Sequence, residues 1–210
     1  MLEIRSGKKV YNGREILNIP LLQLDKGIYW LQGINGSGKT TLLRMIAGLI
    51  PFGGDILLDG TSLQQQPLLY RRKISWAEAE PLYPDFITGR EIISFYQHVR
   101  KAPALQAEKL IHLFGMKQHF STPVGSYSSG MIKRLSLLLA FLGNPSLILL
   151  DEPLATLDAE AVLLLPDLIA EYQQDFGTSF IFSSHQSFKT GSMFINKKLL
   201  AAGQTIHVTA

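Results

Sequence analysis

Gly33-Ile34-Asn35-Gly36-Ser37-Gly38-Lys39-Thr40 constrains this chain more than any other stretch. It satisfies G-x-x-x-x-G-K-[ST] at every fixed position and adds a third glycine at Gly36. Glycines at this spacing let a loop fold tightly, with its N–H groups turned toward phosphate oxygens. Lys39 is spaced to reach the β- and γ-phosphates of a nucleotide, and the Thr40 hydroxyl to join the oxygen shell of Mg²⁺. The apolar run Ile28–Gln32 before the loop reads as a strand. The run from about Thr40 to Ala47 reads as a helix, ended by Gly48 and Pro51, whose N-terminal dipole favours an anion. An incidental glycine turn is the competing reading, and the full pattern between strand and helix disfavours it.

Composition narrows the setting. A chain of 210 residues, 46% hydrophobic and 18% charged, suits one α/β domain or one domain with a small lobe. It has no cysteine, which excludes disulfides and cysteine-ligated metals. The start, MLEIRSGKKVYNG, lacks the apolar core of a secretory signal. The most apolar stretch, Leu135–Leu150, is interrupted by Gly143-Asn144-Pro145 and is too short between breaks to span a bilayer. A soluble chain with no direct membrane insertion is expected. The net charge of +3 is unevenly spread: Met1–Gly48 holds seven basic and three acidic residues, whereas Leu135–Phe188 holds seven acidic residues and no Lys or Arg. That division suits a basic polyphosphate site facing an acidic metal site. No basic stripe interleaved with aromatics is present, so no nucleic-acid partner is expected.

In chain order, Leu2–Ile4 and the stretch around Val10-Tyr11 read as short strands, with Asn12-Gly13 a tight turn. Taken alone, Tyr11 is a plain strand aromatic. Gly53-Gly54 and Asp59-Gly60 bracket a further strand, Asp55–Leu58. Ile74–Ala77 reads as a strand followed by a proline-marked loop, Glu78–Asp85. Thr88 and Glu91 form a capping box that opens a helix with Ile92, Ile93, Phe95, Tyr96 and Val99 on one face. A second helix covers Ala104–Phe114, and a third starts near Ser129 and buries Leu135, Leu138, Leu139 and Leu142. These helices, with no strand among them, read as a lobe over about 78–140 inserted into an α/β core. Leu147-Ile148-Leu149-Leu150 suits a strand buried on both faces of a parallel sheet. Leu157-Asp158 caps a helix that Pro166 should kink or divide. Ser179–Phe182 is a last core strand, and the tail after Phe188 reads as a small β element without evident chemistry.

The apolar strand ending in Asp151-Glu152-Pro153 is the second chemical feature. Ligands of open α/β sheets bind at the C-terminal ends of strands, where the phosphate loop must also lie. Asp151 is placed there to hold Mg²⁺, and Glu152 to polarise an attacking water. The bland alternative for Asp151, a helix cap after a strand, does not explain the phosphate loop upstream.

Five segments in order resemble the nucleotide-binding subunit of an ATP-binding cassette (ABC) transporter: GINGSGKTT, YSSGM at Tyr127–Met131, LILLDEP at Leu147–Pro153, ATLD at Ala155–Asp158, and SSH at Ser183–His185. The resemblance spans about residues 2 to 200 and implies one ABC ATPase domain over residues 1–210. The implied fold is a P-loop NTPase core, a mostly parallel sheet flanked by helices, with an N-terminal antiparallel β subdomain and the inserted helical lobe. It further implies that ATP and Mg²⁺ bind at Gly33, Asn35, Gly36, Ser37, Gly38, Lys39, Thr40 and Thr41, with Tyr11 stacking on adenine. Thr40 and Asp151 would hold the metal, and Glu152, His185 and Lys39 would serve hydrolysis. Ser128 and Gly130 of the signature segment would close on the γ-phosphate bound by a second subunit, with Asp158 in the D-loop contacts.

The implied function is ATP hydrolysis coupled to transport. The implied partners are a second copy or a homologous ATPase subunit, and separate integral membrane subunits at the cytoplasmic face of a membrane. The implied direction is export, on the YSSGM form. Two departures stand out. Ser129 and Met131 replace the usual glycine and glutamine of the signature, and the glutamine expected in the Q-loop falls on Ala79, flanked by Glu78 and Glu80. A methyl group cannot ligate Mg²⁺ or water, so either a neighbouring glutamate, Glu80 before Glu78, substitutes, or metal coordination and coupling are altered here. Two other functions compete: a non-transport ABC ATPase acting on ribosomes or nucleic acid, for which no second cassette or long insertion is present, and a weakly catalytic nucleotide-gated regulatory module.

Overall fold

A computed structural model describes residues 1–184 and 195–209. Strands β1 (Leu2–Tyr11) and β2 (Arg14–Leu24) form a hairpin through Asn12-Gly13, both with positive φ (50° and 77°). Such turns match the twist of the strands they join. Leu2 and Ile4 face Leu24 and Leu22 across the hairpin and are buried with them. The two short strands expected at this end are one strand, because a bulge at Ser6 (φ 50°) absorbs the break in alternation and shifts the pairing between Arg5 and Lys8. After α1 (Lys39–Ile46), β4 (Gly53–Leu58) pairs with β1 and turns into β5 (Thr61–Ser62), giving an antiparallel sheet of order β2-β1-β4-β5.

The main sheet contains β3 (Ile28–Gln32), β6 (Ile74–Ala77, after the short helix α2, Pro67–Arg72), β7 (Leu147–Asp151) and β8 (Ser179–Ser183). Its order is β10-β9-β3-β8-β7-β6, parallel from β9 (Lys197–Ala202) to β6, with β10 (Thr205–Thr209) antiparallel at the edge. The C-terminal tail is β, as expected, and its two strands extend the main sheet. Asn196 fixes its entry: its side-chain oxygen accepts from the Ile28 N–H and its own N–H donates to the Ile28 carbonyl.

Every residue of β7 and β8 is buried, because the sheet is covered on both faces. Leu147 and Leu149 point into one core with Ile4, Leu31, Leu42 and Ile46; Ile148 and Leu150 point into the other, with Leu138, Phe141 and Ile169. The second core is formed by α3 (Gly89–Arg100), α4 (Ala104–Leu113), α5 (Ser129–Phe141) and α6 (Ala159–Phe176). At its centre the Phe141 ring lies 4.9 Å from Tyr172, edge-on, and 5.9 Å from Phe180. Burying a side chain of that size is worth about 1.5–3 kcal/mol.

Two helices differ from expectation. Pro166 does not divide α6, which runs unbroken from Ala159 to Phe176. The lost N–H bond is offset by burial of Leu165, Leu168, Ile169 and Tyr172. On α3 the capping box of Thr88 and Glu91 is complete, but only Ile92 and Ile93 of the apolar face are buried; Phe95 and Val99 are exposed. Among the described residues no helix is long and apolar enough to cross a membrane.

Candidate nucleotide-binding and hydrolysis site

The phosphate loop springs from β3, which lies between β8 and β9. Gly33 permits the close return of the loop: a Cβ there would meet Ser37 Oγ at 2.5 Å and the Ala201 carbonyl at 2.8 Å. Gly38 caps α1 with φ 95°, a left-handed conformation costly for any other residue type. Lys39 is buried, and its ammonium donates to the Gly33 and Ile34 carbonyls at 2.9 and 3.1 Å. The cation thus lies on the loop itself.

Thr40 Oγ1 donates to Asp151 Oδ2 at 2.8 Å. The other carboxylate oxygen, Oδ1, accepts from Ser183 Oγ at 2.5 Å, and Ser183 Oγ in turn accepts from the Glu152 N–H at 3.0 Å. Asp151 is 1% exposed, so these hydroxyls replace the water its carboxylate gave up. Glu152 follows with φ 44°, a left-handed turn that takes the chain sharply out of β7. Strain of this kind in a non-glycine residue is concentrated at functional sites.

Tyr11, Asn35, Gly36, Gly38, Lys39, Thr40, Thr41, Asp151 and Glu152 line one cavity of ≈ 410 Å³. These are half of the residues named from the sequence, drawn from β1, the phosphate loop, α1 and the end of β7. Tyr11 is half exposed, and one face of its ring carries the Lys9 ammonium, 4.4 Å from the centroid. The Pro51 carbonyl holds that ammonium at 2.6 Å.

The residues fit Mg²⁺. Thr40 and Asp151 offer hard oxygens side by side, the chemistry this ion selects. No group of three or more His, Cys, Asp or Glu is close enough to hold a metal among the described residues. The remaining ligands would be phosphate oxygens and water, as is usual for Mg²⁺ at nucleotides.

Ser128, Gly130 and Asp158 do not line this cavity. Ser128 caps α5, accepting from the Met131 N–H at 3.2 Å. Gly130 faces the segment after Glu152, where a Cβ would meet the Thr156 carbonyl at 2.9 Å. Asp158 caps α6 through the Ala161 N–H at 3.0 Å and pairs with Arg134 of α5. The Ala161 N–H above all, and the Arg134 charge, hold its carboxyl below the usual carboxylate range. Glu78, Ala79 and Glu80 follow β6; the Glu78 carboxylate lies 3.7 Å from Arg44 of α1, and Glu80 is exposed. His185 lies outside the described residues.

Two residues without an assigned role enter the site. Ser183 links Asp151 to Glu152; the signal was a serine closing the apolar run Phe180–Phe182. Lys133, buried on α5, donates to the backbone of Glu78, Ala79 and Asp151. Its signal was a lysine beside Arg134 on a helix whose later residues, Ser136 apart, are apolar.

The sequence model of the family described as ABC transporter matches residues 21–155. The chain belongs to the ABC transporter family. Within this ABC family it is similar to the ABC transporter ATP-binding protein YtrB of Bacillus subtilis (strain 168), at 33% identity, covering 89% of this chain and 64% of YtrB. It is also similar to ATP-binding cassette sub-family A member 7 of Rattus norvegicus, at 30% identity, covering 88% of this chain but 9% of that protein. The chain thus spans less than two thirds of either relative. In fold it matches a solved ATP-binding subunit of an ABC transporter, with TM-score 0.88 and 23% identity over 98% of this chain and 88% of the other. The P-loop core with its antiparallel subdomain is the ABC ATPase fold.

Proposed function

We propose that the chain is the ATP-hydrolysing motor of a membrane transporter. It works as a head-to-tail pair, with a second copy or a homologous subunit, around two Mg-ATP. The observation that carries this reading is the continuous path Thr40–Asp151–Ser183–Glu152 beside the phosphate loop. A hydroxyl and a carboxylate suited to the metal lie on this path, one residue from a carboxylate able to take a proton from water, which supports the reading. Mg²⁺, when bound there, neutralises phosphate charge. Lys39 offers its ammonium to the same phosphates, Tyr11 stacks on the base, and Glu152 orients the water and removes its proton. His185 is proposed to contact the γ-phosphate.

The pairing is supported by the separation within the chain. The Ser128 end of α5 is a helix N-terminus that does not line the phosphate cavity, which suits a γ-phosphate held by a partner subunit. Asp158, beside that end of α5, would join the contacts. Such a pair closes on ATP and loosens once the γ-phosphate is gone, because the contacts exist only in the closed state.

The membrane partner is proposed to dock on the helical lobe, about residues 78–140. A groove of ≈ 580 Å³ between α2 and α3 is lined by Leu68, Phe95 and Val99 together with Arg71, Arg72 and Arg100. That combination suits an apolar cytoplasmic segment flanked by acidic residues. Export is the proposed direction, on the YSSGM form, and the cargo belongs to the membrane subunits. The test is Glu152→Gln: turnover should fall at least about a hundredfold while ATP drives a stable pair in sedimentation. A variant that hydrolyses ATP at the wild-type rate would remove Glu152 as the base.

A further inference from the structure

Lys133 lies on the second turn of α5 and is 1% exposed. Its ammonium donates to the carbonyls of Glu78 at 2.6 Å, Ala79 at 3.3 Å and Asp151 at 2.9 Å. The first two carbonyls belong to the loop after β6. The third belongs to the residue that bonds Thr40 and precedes Glu152. One side chain therefore joins α5, the loop after β6 and the end of β7, directly past the point where the β6–β7 ladder ends at Ala77 and Leu150.

An ammonium is an expensive group to bury, and a methionine of similar volume would fill the space without that cost. Burial holds the Lys133 pKa down to about 8, against the pull of the Asp151, Glu152 and Glu78 carboxylates. What the lysine supplies is three N–H donors on one atom, matched to three backbone acceptors. Removing it would leave those carbonyls without their partner.

Further along the loop Tyr83 packs against the core and bonds Ser136 of α5; at Glu78–Glu80 the second tie is the exposed pair of Glu78 with Arg44, on the helix that begins with Lys39. Exposed pairs of this kind hold weakly. Ala79, at the centre of the loop, has no polar side chain to reach metal, water or phosphate. The buried lysine is the strong tether.

We infer that Lys133 is a positioning residue: its ammonium couples α5 and the loop Glu78–Glu80 to the carboxylate pair Asp151–Glu152, a task that Ala79 lacks the side chain to perform. The inference rests on the ATPase reading of the site. Any rotation of α5 moves the ammonium, and with it the Asp151 carbonyl and the strained turn that aims Glu152. Displacement of the reacting groups by a fraction of a bond length is enough to change turnover without changing nucleotide affinity.

Lys133→Met keeps the volume and removes the donors. KM for ATP should stay within about twofold while kcat falls roughly ten- to hundredfold. Without nucleotide, amide exchange should accelerate at residues 78–82 and 151–153 and stay slow in β1 and β2. Lys133→Arg, which restores a cation with several donors, should recover most of kcat. Wild-type kcat in a folded Lys133→Met would overturn the inference. So would a loss of nucleotide affinity in proportion to kcat, which would mark a general structural role. Should Lys133→Met fail to fold, Lys133→Gln, a neutral donor, carries the same two readouts. The exchange arm needs no turnover. A wild-type chain inactive toward ATP would refute the reading of the site, and the exchange rates would still decide the tether.

Discussion

Thr40 and Asp151, 111 residues apart in the chain, meet through a 2.8 Å hydrogen bond between the start of α1 and the end of β7. The bond joins the phosphate loop to the acidic strand and brings together the two oxygens that suit Mg²⁺. It follows from parallel topology: β3 and β7 both flank β8, so their C-terminal ends open on the same edge of the sheet.

If these oxygens hold the metal, Thr40→Ala should raise the Mg²⁺ concentration needed for half-maximal ATPase by roughly ten- to hundredfold. Chelating Mg²⁺ should abolish turnover in the wild type. A magnesium titration of steady-state hydrolysis checks both, and an unchanged midpoint would count against Thr40 as a ligand.

Ser183→Ala removes the partner of Asp151 Oδ1 and the acceptor of the Glu152 N–H together. Leaving buried polar groups unsatisfied costs about 1–3 kcal/mol, visible in urea unfolding. Turnover should fall more than ATP affinity does, because the substitution disturbs the aim of Glu152 rather than the phosphate loop. Equal stability and turnover in the variant would remove Ser183 from the site.

Tyr11→Ala should raise KM for ATP while leaving kcat nearly unchanged. Stacking of a base on an aromatic ring is worth about 1–3 kcal/mol, and the interaction is the same in ground and transition states. Tyr11→Phe keeps the ring and should behave as wild type. Lys9 already covers one face of the ring, so the base has the other.

Phe95→Asp places a charge in the apolar groove beside α2, where Phe95 is 64% exposed and contributes little to the core. The isolated chain should keep its ATPase rate and stability. Association with membranes carrying its transporter subunits should be lost. Retained association, measured by flotation, would move the docking surface elsewhere.

Much of the site was legible because its signals are local. A glycine loop, a lysine and a threonine within eight residues carry their own geometry, and the apolar run ending in Asp151-Glu152 declares a buried strand whatever surrounds it. Asn12-Gly13 and the Thr88–Glu91 capping box were legible for the same reason. The departures arise where distant segments override local preference. Ser6 bulges because β1 must pair with both β2 and β4. Pro166 stays inside α6 because the buried face on both sides of it outweighs one lost bond. The tail joins β3 through Asn196 and Ile28, a pairing across 168 residues that no local pattern records.

The phosphate loop, the α/β class and the acidic strand can be read from the residues alone, since short-range sterics and periodicity govern each of them. Which side chains hold those residues in place depends instead on long-range packing. Ser183 reaches Asp151 because β8 lies beside β7, and Lys133 reaches three carbonyls because α5 packs against the sheet beside the loop after β6. A hydroxyl or an ammonium gains direction only from the partners that burial forces upon it, and those partners are set by the order of the strands.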